Sequence, residues 1–446
     1  MRGRDLTGVS VIVAGAGLAG LSAARALEAR GAAVTVVEAR GRVGGRVWTL
    51  RDKFANRQHA EAGADLIEGE QEHVLELAKA LGLQTARILR GSFGFYGPDA
   101  RGTRRLHTGP SVFAQAGKYL AAHLRDFKLA EERWDSPVAA ALGRRSVSTW
   151  LDEIDAPRRF KAGLRGLRGF FLADPEALSL LPLVEQFASS GAPGRDSIYR
   201  IKGGNDRLAS GIVQRLRGAL LLNTMVRRVV QHDDRVTVTI EALGQPHTEI
   251  TAEYFVCALP ASTARGVIFE PALPEPQQAA IAHLRYGCAT RLLLQFDRRF
   301  WRKRGRPNAF GTDLDTGAVW DGNEQQKGPQ GILTFLAGGD ASRGLQEILH
   351  AEGERGVVRR IEWLGRPARL LASQTVVWDH DPLARGGYAY FDPAFDPLWR
   401  AWLSRAAGRI VFAGEHTSIK YQGYMNGAIE TGLRAAAEIS ALHDSR

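Results

Sequence analysis

The feature that most constrains this chain is the segment from Val9 to Arg40, which reads VSVIVAGAGLAGLSAARALEARGAAVTVVEAR. Its pattern is an apolar strand, a glycine turn, an amphipathic helix and a second apolar strand. Gly15 permits the tight turn, Gly17 lets a pyrophosphate approach the backbone, and Gly20 lets the helix pack on the sheet. Glu38 closes the second strand, at the distance expected of an acid that holds ribose hydroxyls. The segment predicts a dinucleotide site with its phosphates at the helix N-terminus.

A second glycine turn, RGRVGGRVWTL, follows directly and helps to identify the dinucleotide. Gly44 and Gly45 allow another close approach of a ligand to the backbone, and Arg42 and Arg46 flank them as fixed cations for a diphosphate. An acid at position 38 disfavours the 2′-phosphate of NADP. An NAD site needs no second glycine–arginine turn, so a longer cofactor that carries a flavin beyond its diphosphate is favoured.

A third stretch, AGEHTSIKYQGYMNGA at residues 413–428, is rich in polar and aromatic side chains. It follows the apolar run IVFA, which predicts a short buried strand, and a helix is predicted to begin near Tyr424. In an open α/β sheet, ligands lie beyond the carboxyl ends of the strands and face the positive ends of the following helices. This stretch is therefore predicted to contact the same ligand.

Charge and cysteine content exclude several classes of protein. The net charge of +11 comes mainly from arginines scattered along all 446 residues, without a zinc-finger or RNP context, so no nucleic-acid partner is predicted. No apolar run has the length of a membrane span, and no secretory signal is expected ahead of the first strand. Cys257 and Cys288 are predicted to be buried free thiols of a cytoplasmic protein. Asp379, His380 and Asp381 are adjacent and lack metal-ligand spacing, so no metal is predicted.

Four stretches together carry a family resemblance: GAGLAG…VVEAR, RVGGR, KGGNDRLA and FAGEHTSIKYQGYMNGAIETG. They follow this order over nearly the whole chain, which resembles the flavin-containing amine oxidase family of monoamine, polyamine and L-amino acid oxidases. The resemblance implies an α/β fold with a Rossmann-like FAD-binding domain assembled from residues 1–75, 198–277 and 396–446. It also implies a substrate-binding domain of helices and a mixed sheet, formed by residues 76–197 and 278–395.

The resemblance further implies which residues contact FAD. Gly63 would form a turn beneath the flavin, Val226 would open a strand at the adenine edge, and Glu415 would accept hydrogen bonds near the ribityl chain. The helix near Tyr424 would point its N-terminus at the pyrimidine edge of the flavin, which gathers negative charge on reduction. FAD is expected to be noncovalent, because Gly387 stands where some family members attach it to a cysteine. The predicted cofactor set is Gly15, Gly17, Leu18, Ala19, Gly20, Glu38, Ala39, Arg40, Gly44, Gly45, Arg46, Gly63, Ala64, Val226, Gly414, Glu415, Tyr424 and Met425.

Three residues are predicted to act on the substrate. Tyr424 would stand beside the isoalloxazine face, and Tyr388 would form the second wall, with Tyr390 as the alternative. In the family, a lysine on a strand that precedes an F-W pair holds a water against flavin N5. The F-W pair at residues 300–301 places Arg291 at that position. Arginine can hold a water but does not release a proton at ordinary pH. A slipped register would instead put Arg291 on the surface.

The predicted reaction is the oxidation of a small neutral amine held between the tyrosines. Its α-carbon gives a hydride to flavin N5, the imine hydrolyses to a carbonyl compound, and dioxygen reoxidises the flavin with release of hydrogen peroxide. One alternative is an L-amino acid oxidase, in which Arg90, Arg165, Arg168 or Arg291 would pair the substrate carboxylate. The others are a C–C desaturase of lipids or isoprenoids and a flavoprotein with only a binding role. A homodimer is one expectation for the assembly.

Overall fold

A computed structural model of the chain describes residues 5–90, 93–107, 112–189, 197–242 and 244–445. The strands, in chain order, are β1 Ser10–Ala14, β2 Ala33–Val37, β3 Thr49–Leu50, β4 Ala60–Glu61, β5 Ile67–Glu68, β6 Thr85–Ile88, β7 Gly94–Pro98, β8 Arg104–His107, β9 Ile198–Ile201, β10 Ala219–Leu221, β11 Thr224–Gln231, β12 Val236–Ala242, β13 Thr248–Ala252, β14 Tyr254–Cys257, β15 Ile268–Glu270, β16 Arg285–Tyr286, β17 Ala289–Phe296, β18 Ala309–Thr312, β19 Ala318–Asp321, β20 Gly331–Gly338, β21 Leu370–Val377, β22 Ala389–Tyr390 and β23 Ile410–Phe412. The α-helices are α1 Leu18–Glu28, α2 Glu72–Ala80, α3 Val112–Tyr119, α4 Ala121–Leu129, α5 Pro137–Gly143, α6 Val147–Glu153, α7 Arg158–Arg165, α8 Arg168–Phe171, α9 Leu180–Ser189, α10 Arg207–Val213, α11 Ala261–Ala264, α12 Glu275–His283, α13 Asp340–Arg360 and α14 Met425–Asp444.

A parallel five-stranded sheet with the order β10-β2-β1-β14-β23 positions the N-terminal motif. β1 pairs in parallel with β2 on one side and with β14 on the other, and β14 pairs with β23. Helices α1 and α14 share one apolar core with these strands, in which Val11, Val13 and Ile429 are buried. Because all five strands run the same way, their carboxyl ends meet at one edge of the sheet.

A mixed seven-stranded sheet with the order β21-β17-β20-β19-β18-β7-β8 forms the second large layer. The β18–β7 pair is parallel, and the other neighbouring pairs are antiparallel. Helix α13 packs its apolar residues, among them Leu345 and Val357, against β17 and β20. Strands β7 and β8 come from the first segment assigned to the substrate domain and the other five from the second. The predicted α/β fold is confirmed, while the domain boundaries stay a prediction.

Several local expectations agree with the structure and others differ. Helix α14 begins at Met425 with Tyr424 as its N-cap residue, as expected, but β11 begins two residues before Val226. Cys257 is buried, and burial raises the pKa of its thiol to about 12. The expectation of a second buried thiol is wrong, because Cys288 is exposed where the chain enters β17. No helix within the described ranges is long and apolar enough to cross a membrane.

Candidate active site

A cavity of about 1410 Å³ lies at the carboxyl edge of the parallel sheet and extends to the mixed sheet. Residues that follow β1, β2, β14 and β23 line one part of its wall, and residues of β17, β19 and β20 line another. All members of the predicted cofactor set except Gly20 line the cavity, and so do Tyr388, Tyr424 and Arg291. A Cβ atom on Gly20 would overlap the carbonyl oxygen of Gly15, so Gly20 allows the close packing of α1 that its spacing predicts.

The two glycine turns lie side by side at the start of α1. Gly15 has a φ of +101°, a conformation that side-chain-bearing residues rarely adopt. The amide of Gly44 donates to the carbonyl oxygen of Ala16 over 2.8 Å, which joins the second turn to the first. No side chain caps α1 at Gly17, and Leu18 lines the cavity. The free amides of this first helical turn are therefore available to an anionic ligand.

Glu38 fixes the end of β2 to the first glycine turn. Its carboxylate accepts hydrogen bonds from the amides of Ala16 (2.7 Å) and Arg40 (2.8 Å), and the side chain is buried. A carboxylate offers about four acceptor sites, so Glu38 keeps acceptor capacity for ribose hydroxyls while it holds the turn.

The arginines near the second turn differ in what they contact. Arg46 lines the cavity and donates to the carbonyl oxygen of Gly387 (2.7 Å) and to Glu415 (3.0 Å). Arg40 also lines it and pairs with Asp381 at 2.9 Å. Arg42 does not line the cavity, because its guanidinium bonds the carbonyl of Gly45 and lies over Trp48, and burial lowers its pKa to about 10. The expected contact of Arg42 with a diphosphate is therefore not supported.

Glu415 joins three segments of the cavity wall. Besides the ion pair with Arg46, it accepts hydrogen bonds from the amides of Ala389 (3.3 Å) and Gly423 (2.8 Å). The neighbouring His416 is buried, and burial lowers the pKa of its imidazole to about 4, so the ring is neutral. Its Nδ1 atom has no hydrogen-bond partner among the described residues.

Tyr388 and Tyr424 lie next to each other on the wall. The ring of Tyr388 lies on Gly423, where a Cβ atom would be 3.2 Å from its Cδ2 atom, and its hydroxyl donates to the carbonyl of Phe170. The ring of Tyr424 makes an edge contact with Phe170, with 6.4 Å between centroids. Burial raises the pKa of both phenols, so both are neutral. Tyr390, the alternative second tyrosine, also lines the cavity.

Arg291, on β17, contacts Gly63, which follows β4. Arg291 is only 5% exposed, so the expectation of a surface position under a slipped register does not apply. Its Nη2 atom donates to the carbonyl oxygen of Gly63 over 2.7 Å. A Cβ atom on Gly63 would overlap the carbonyl oxygen of Arg46, so only glycine lets the chain at position 63 pass this close to the backbone of Arg46.

Two carboxylates that the sequence analysis did not single out face the cavity near Tyr424. Glu68 lies at the end of β5, and burial together with the nearby charge of Glu70 raises its pKa to about 7. Both carboxylates line the cavity and raise the pKa of Tyr424. The signal available in the sequence was their position close after Gly63 in EAGADLIEGE.

The four arginines considered as partners of a substrate carboxylate separate into two pairs. Arg165 and Arg168 both pair with Asp174, and neither lines the cavity. Arg90 and Arg291 do line it. Of these four arginines, only Arg90 and Arg291 are therefore placed to contact a carboxylate-bearing substrate.

Cysteine and metal chemistry are not built into the described part of the cavity. Neither Cys257 nor Cys288 lines it, and a Cβ atom on Gly387 would overlap the side chain of Leu172. The described residues contain no group of three or more histidine, cysteine and acidic side chains able to hold a metal ion. Asp379 accepts the amide of Ala289 (2.9 Å) instead.

Comparisons with known proteins give one consistent answer. The profile of the family described as flavin containing amine oxidoreductase matches residues 18–440. The chain is 26% identical to amine oxidase [flavin-containing] B of Cavia porcellus, over 96% of this chain and 85% of that protein. It is 28% identical to the putative L-amino-acid oxidase YobN of Bacillus subtilis, over 97% of this chain and 95% of that protein.

Solved structures agree with the sequence relatives. Cyclohexylamine oxidase from Brevibacterium oxydans superposes with a TM-score of 0.83 at 27% identity, over 98% of this chain and 100% of that chain. Putrescine oxidase bound to putrescine superposes with a TM-score of 0.84 at 25% identity, over 97% and 99% of the two chains.

The cavity suits the cofactor of this family. Two adjoining glycine turns leave helix amides free for a diphosphate, Glu38 has acceptors for ribose hydroxyls, and the volume accommodates an extended dinucleotide together with a small substrate. With no cysteine on the described wall, the FAD is held noncovalently. The chain belongs to the flavin-containing amine oxidoreductase family, and it is a flavin-dependent amine oxidase.

Proposed function

We propose that the protein oxidises small amines that bind between Tyr388 and Tyr424, with dioxygen as the final electron acceptor. FAD, when bound, supplies the redox chemistry: it takes a hydride from the α-carbon to N5, leaving an imine that hydrolyses to a carbonyl compound, and passes two electrons to dioxygen to form hydrogen peroxide. The observation that carries the proposal is a single cavity lined both by the glycine turns of the dinucleotide site and by the two neutral tyrosines.

The two tyrosines orient the substrate. Their rings are neutral and stand on Gly423 and against Phe170, so they offer aromatic faces and no negative charge. An aromatic face attracts an ammonium group, and two walls limit the directions in which a small amine can lie. Orientation of the α-carbon towards the flavin is the role that we assign to the pair.

Charge on the wall supports the same reaction. Glu68 and Glu70 favour the approach of an ammonium ion, and Glu68, with a pKa of about 7, is able to take up the proton that the amine loses. Helix α14 has no side-chain cap at Tyr424, so the amides of its first turn are free, and Met425 lines the cavity. These amides and the helix dipole stabilise negative charge that gathers on the cofactor during reduction.

An L-amino acid oxidase is the second candidate, because Arg291 is a buried cation that lines the cavity. Arg291→Lys separates the two functions. If Arg291 pairs a substrate carboxylate, the lysine variant should bind amino acids more weakly and slow flavin reduction, because one bidentate contact is lost. If Arg291 acts on the oxygen reaction, flavin reoxidation should change more than flavin reduction. A desaturase gains no support from the relatives, which are named as amine and amino-acid oxidases.

The test of the proposed function measures peroxide release and anaerobic flavin reduction with a panel of amines and amino acids. Tyr424→Phe keeps the aromatic wall and should cost little, whereas Tyr424→Ala should slow flavin reduction roughly tenfold or more, about 1.4 kcal/mol. Equal reduction rates in the two variants would contradict the assignment of Tyr424. No turnover with any member of the panel would favour a flavoprotein with only a binding role.

Location and assembly are further parts of this proposal. Cys257 and Cys288 are free thiols, which supports a reducing compartment such as the cytoplasm. A homodimer stays a prediction, and size-exclusion chromatography with light scattering of the holoenzyme tests it.

A further inference from the structure

The cavity wall at helix α9 is apolar except for one carboxylate. Leu178 precedes the helix, Pro182 and Glu185 lie on it, and all three line the cavity together with Phe391. Residues three apart lie on the same face of a helix, so Pro182 and Glu185 mark the face of α9 that is turned to the cavity. The amide of Ser179 donates to the carbonyl oxygen of Phe391 over 2.9 Å, which brings Phe391 to the start of α9. We call Leu178, Pro182, Glu185 and Phe391 the α9 arm of the cavity.

The carboxylate of Glu185 is fixed at one oxygen and open at the other. The indole N–H of Trp134 donates to Oε1 over 2.7 Å. Oε2 accepts no hydrogen bond from the described residues and is not closed off by them. Because Glu185 lines the cavity, a ligand in the α9 arm has access to this oxygen. An ionised carboxylate oxygen without a partner is a strong acceptor for a charged donor.

Within the described ranges, Glu185 has no ion-pair partner. Arg400 is the cation whose charge acts on it, but both Nη atoms of Arg400 donate to backbone carbonyl oxygens. The guanidinium of Arg400 lies over the rings of Trp134 and Phe391, 5.4 and 5.0 Å from their centres, and does not line the cavity. Glu132, the other charged group that acts on Glu185, is exposed outside the cavity. The carboxylate therefore remains available to a cation that enters the arm.

The α9 arm is continuous with the wall that carries the two tyrosines. Tyr388 precedes β22, Phe391 follows it, and all the residues 388–391 line the cavity. A ligand whose reacting amine lies between Tyr388 and Tyr424 therefore has a route along β22 to Glu185. The acids described near Tyr424 stand at the reacting end of such a ligand, and Glu185 stands at the other end.

The chemistry of the arm selects a particular distal group. Leu178, Pro182 and Phe391 suit a chain of methylene groups, and the open oxygen of Glu185 suits one N–H donor that carries positive charge. A long alkylamine would place a methyl group against the carboxylate and remove water from it without replacing the lost hydrogen bonds. An ammonium group at that end of the chain would replace them.

We propose that Glu185 binds the distal ammonium group of a diamine whose other amino group is oxidised between Tyr388 and Tyr424. The inference rests on the proposed function and goes beyond it, because it names the substrate class and assigns a specificity-determining residue outside the tyrosine wall.

The test compares α,ω-diamines of increasing chain length with the n-alkylamines of the same carbon number. It is run at pH 8, where Glu185, whose pKa burial raises to about 7, is ionised. Anaerobic stopped-flow reduction of the FAD-loaded protein gives a dissociation constant and a limiting rate for each amine. The wild-type protein should bind its best diamine about tenfold or more tightly than the matched monoamine. Glu185→Gln should remove that preference, because the amide still accepts from Trp134 but carries no charge.

Two further variants separate contact from general electrostatics. Glu185→Asp keeps the charge and shortens the side chain by one methylene, so the preferred diamine should become one methylene longer. Glu132→Gln is the matched control, because it removes the other nearby carboxylate without altering the cavity wall. It should keep the preference for diamines within about twofold, since the charge of an exposed residue is screened by salt.

The proposal is overturned if the wild-type protein shows no preference for a diamine, if Glu185→Gln retains the preference, or if Glu132→Gln loses as much of it. Amino alcohols of the same length that bind as well as diamines would show that Oε2 takes a neutral donor, against the ammonium assignment. Oxidation of monoamines without a preference for diamines refutes this inference alone. If no amine is oxidised, the proposed function fails and the diamines act as plain ligands. Their titration, followed by flavin absorbance, must then still show the loss of about tenfold in Glu185→Gln.

Discussion

Replacing Glu415 should weaken FAD binding through the cavity wall that this residue holds together. The side chain is 6% exposed and accepts from Arg46 and from the amides of Ala389 and Gly423. In Glu415→Gln, one oxygen becomes an NH₂ group, so at least one of these buried donors loses its acceptor, at a cost of about 1–3 kcal/mol. In Glu415→Ala, Arg46 also loses its ion-pair partner, and the cost rises to about 3–5 kcal/mol.

Part of that cost should appear in the affinity for FAD, because the three donors lie on segments that line the cavity. If about 1.4 kcal/mol of the cost is lost from the binding free energy of FAD, the dissociation constant of FAD for Glu415→Gln rises about tenfold. The assay is titration of the apoprotein with FAD, followed by quenching of flavin fluorescence, together with urea unfolding of the apoprotein. Unfolding separates a loss of overall stability from a loss of the site.

Glu430→Gln is the matched control. Glu430 is a partly buried carboxylate that accepts the hydroxyl of Ser418 over 2.7 Å and does not line the cavity. Its replacement should leave the affinity for FAD within about twofold, well below the tenfold step of 1.4 kcal/mol. The reasoning fails if Glu415→Gln also stays within that range, or if the control loses as much affinity as Glu415→Gln does.

Three further predictions follow from single groups. Acid or heat precipitation should release intact FAD into the supernatant, because no cysteine lines the described cavity wall; colour retained in the pellet would contradict noncovalent binding. Glu38→Ala should weaken FAD binding by about 1–3 kcal/mol, because amides and ribose hydroxyls lose a buried acceptor, and full flavin retention after dialysis would count against it. Burial raises the pKa of Glu185 from 4.5 to about 7 in the folded protein. Between these two pH values Glu185 is ionised in the unfolded chain but still protonated in the folded one, so the free energy of unfolding decreases as the pH rises from 4.5 to about 7. Glu185→Gln, which can still accept from Trp134, should match the wild type in thermal stability at pH 5 and exceed it at pH 8; equal melting temperatures at pH 8 would refute the assignment.

The sequence predicted the local parts of the site better than the contacts between distant segments. The turn at Gly15 and the start of α14 follow from spacing and helix signals alone, because each is decided by neighbouring residues. Arg46 was predicted to face a diphosphate, but the pattern could not show that Glu415 engages it from the far end of the chain. Which residues form an ion pair depends on how the sheets pack, and the local spacing of apolar residues in the sequence does not determine that packing.

Arg291 shows the same limit. The F-W spacing predicted that Arg291 lies on a strand, and Arg291 lies on β17, where it pairs with Leu336 and Val376 and lines the cavity. Trp320, whose ring centre is 4.9 Å from the central carbon of the Arg291 guanidinium, carried no sequence signal for this contact, because the two residues lie on different segments that meet only in the folded chain. Cys288 was expected to be a buried free thiol because the chain has only two cysteines, but it lies just before β17 and is exposed.

The ion pair between Arg46 and Glu415 joins residues 369 positions apart. During synthesis the cavity is therefore incomplete until nearly the whole chain has left the ribosome. The glycine turns near the N-terminus are made early, but Glu415, which pairs with Arg46, is made late. FAD that binds only the finished fold protects it by mass action, with about 2.7 kcal/mol when free FAD exceeds its dissociation constant a hundredfold. Flavin supply during synthesis should consequently set how much of the polypeptide escapes proteolysis, as well as how much of it is active.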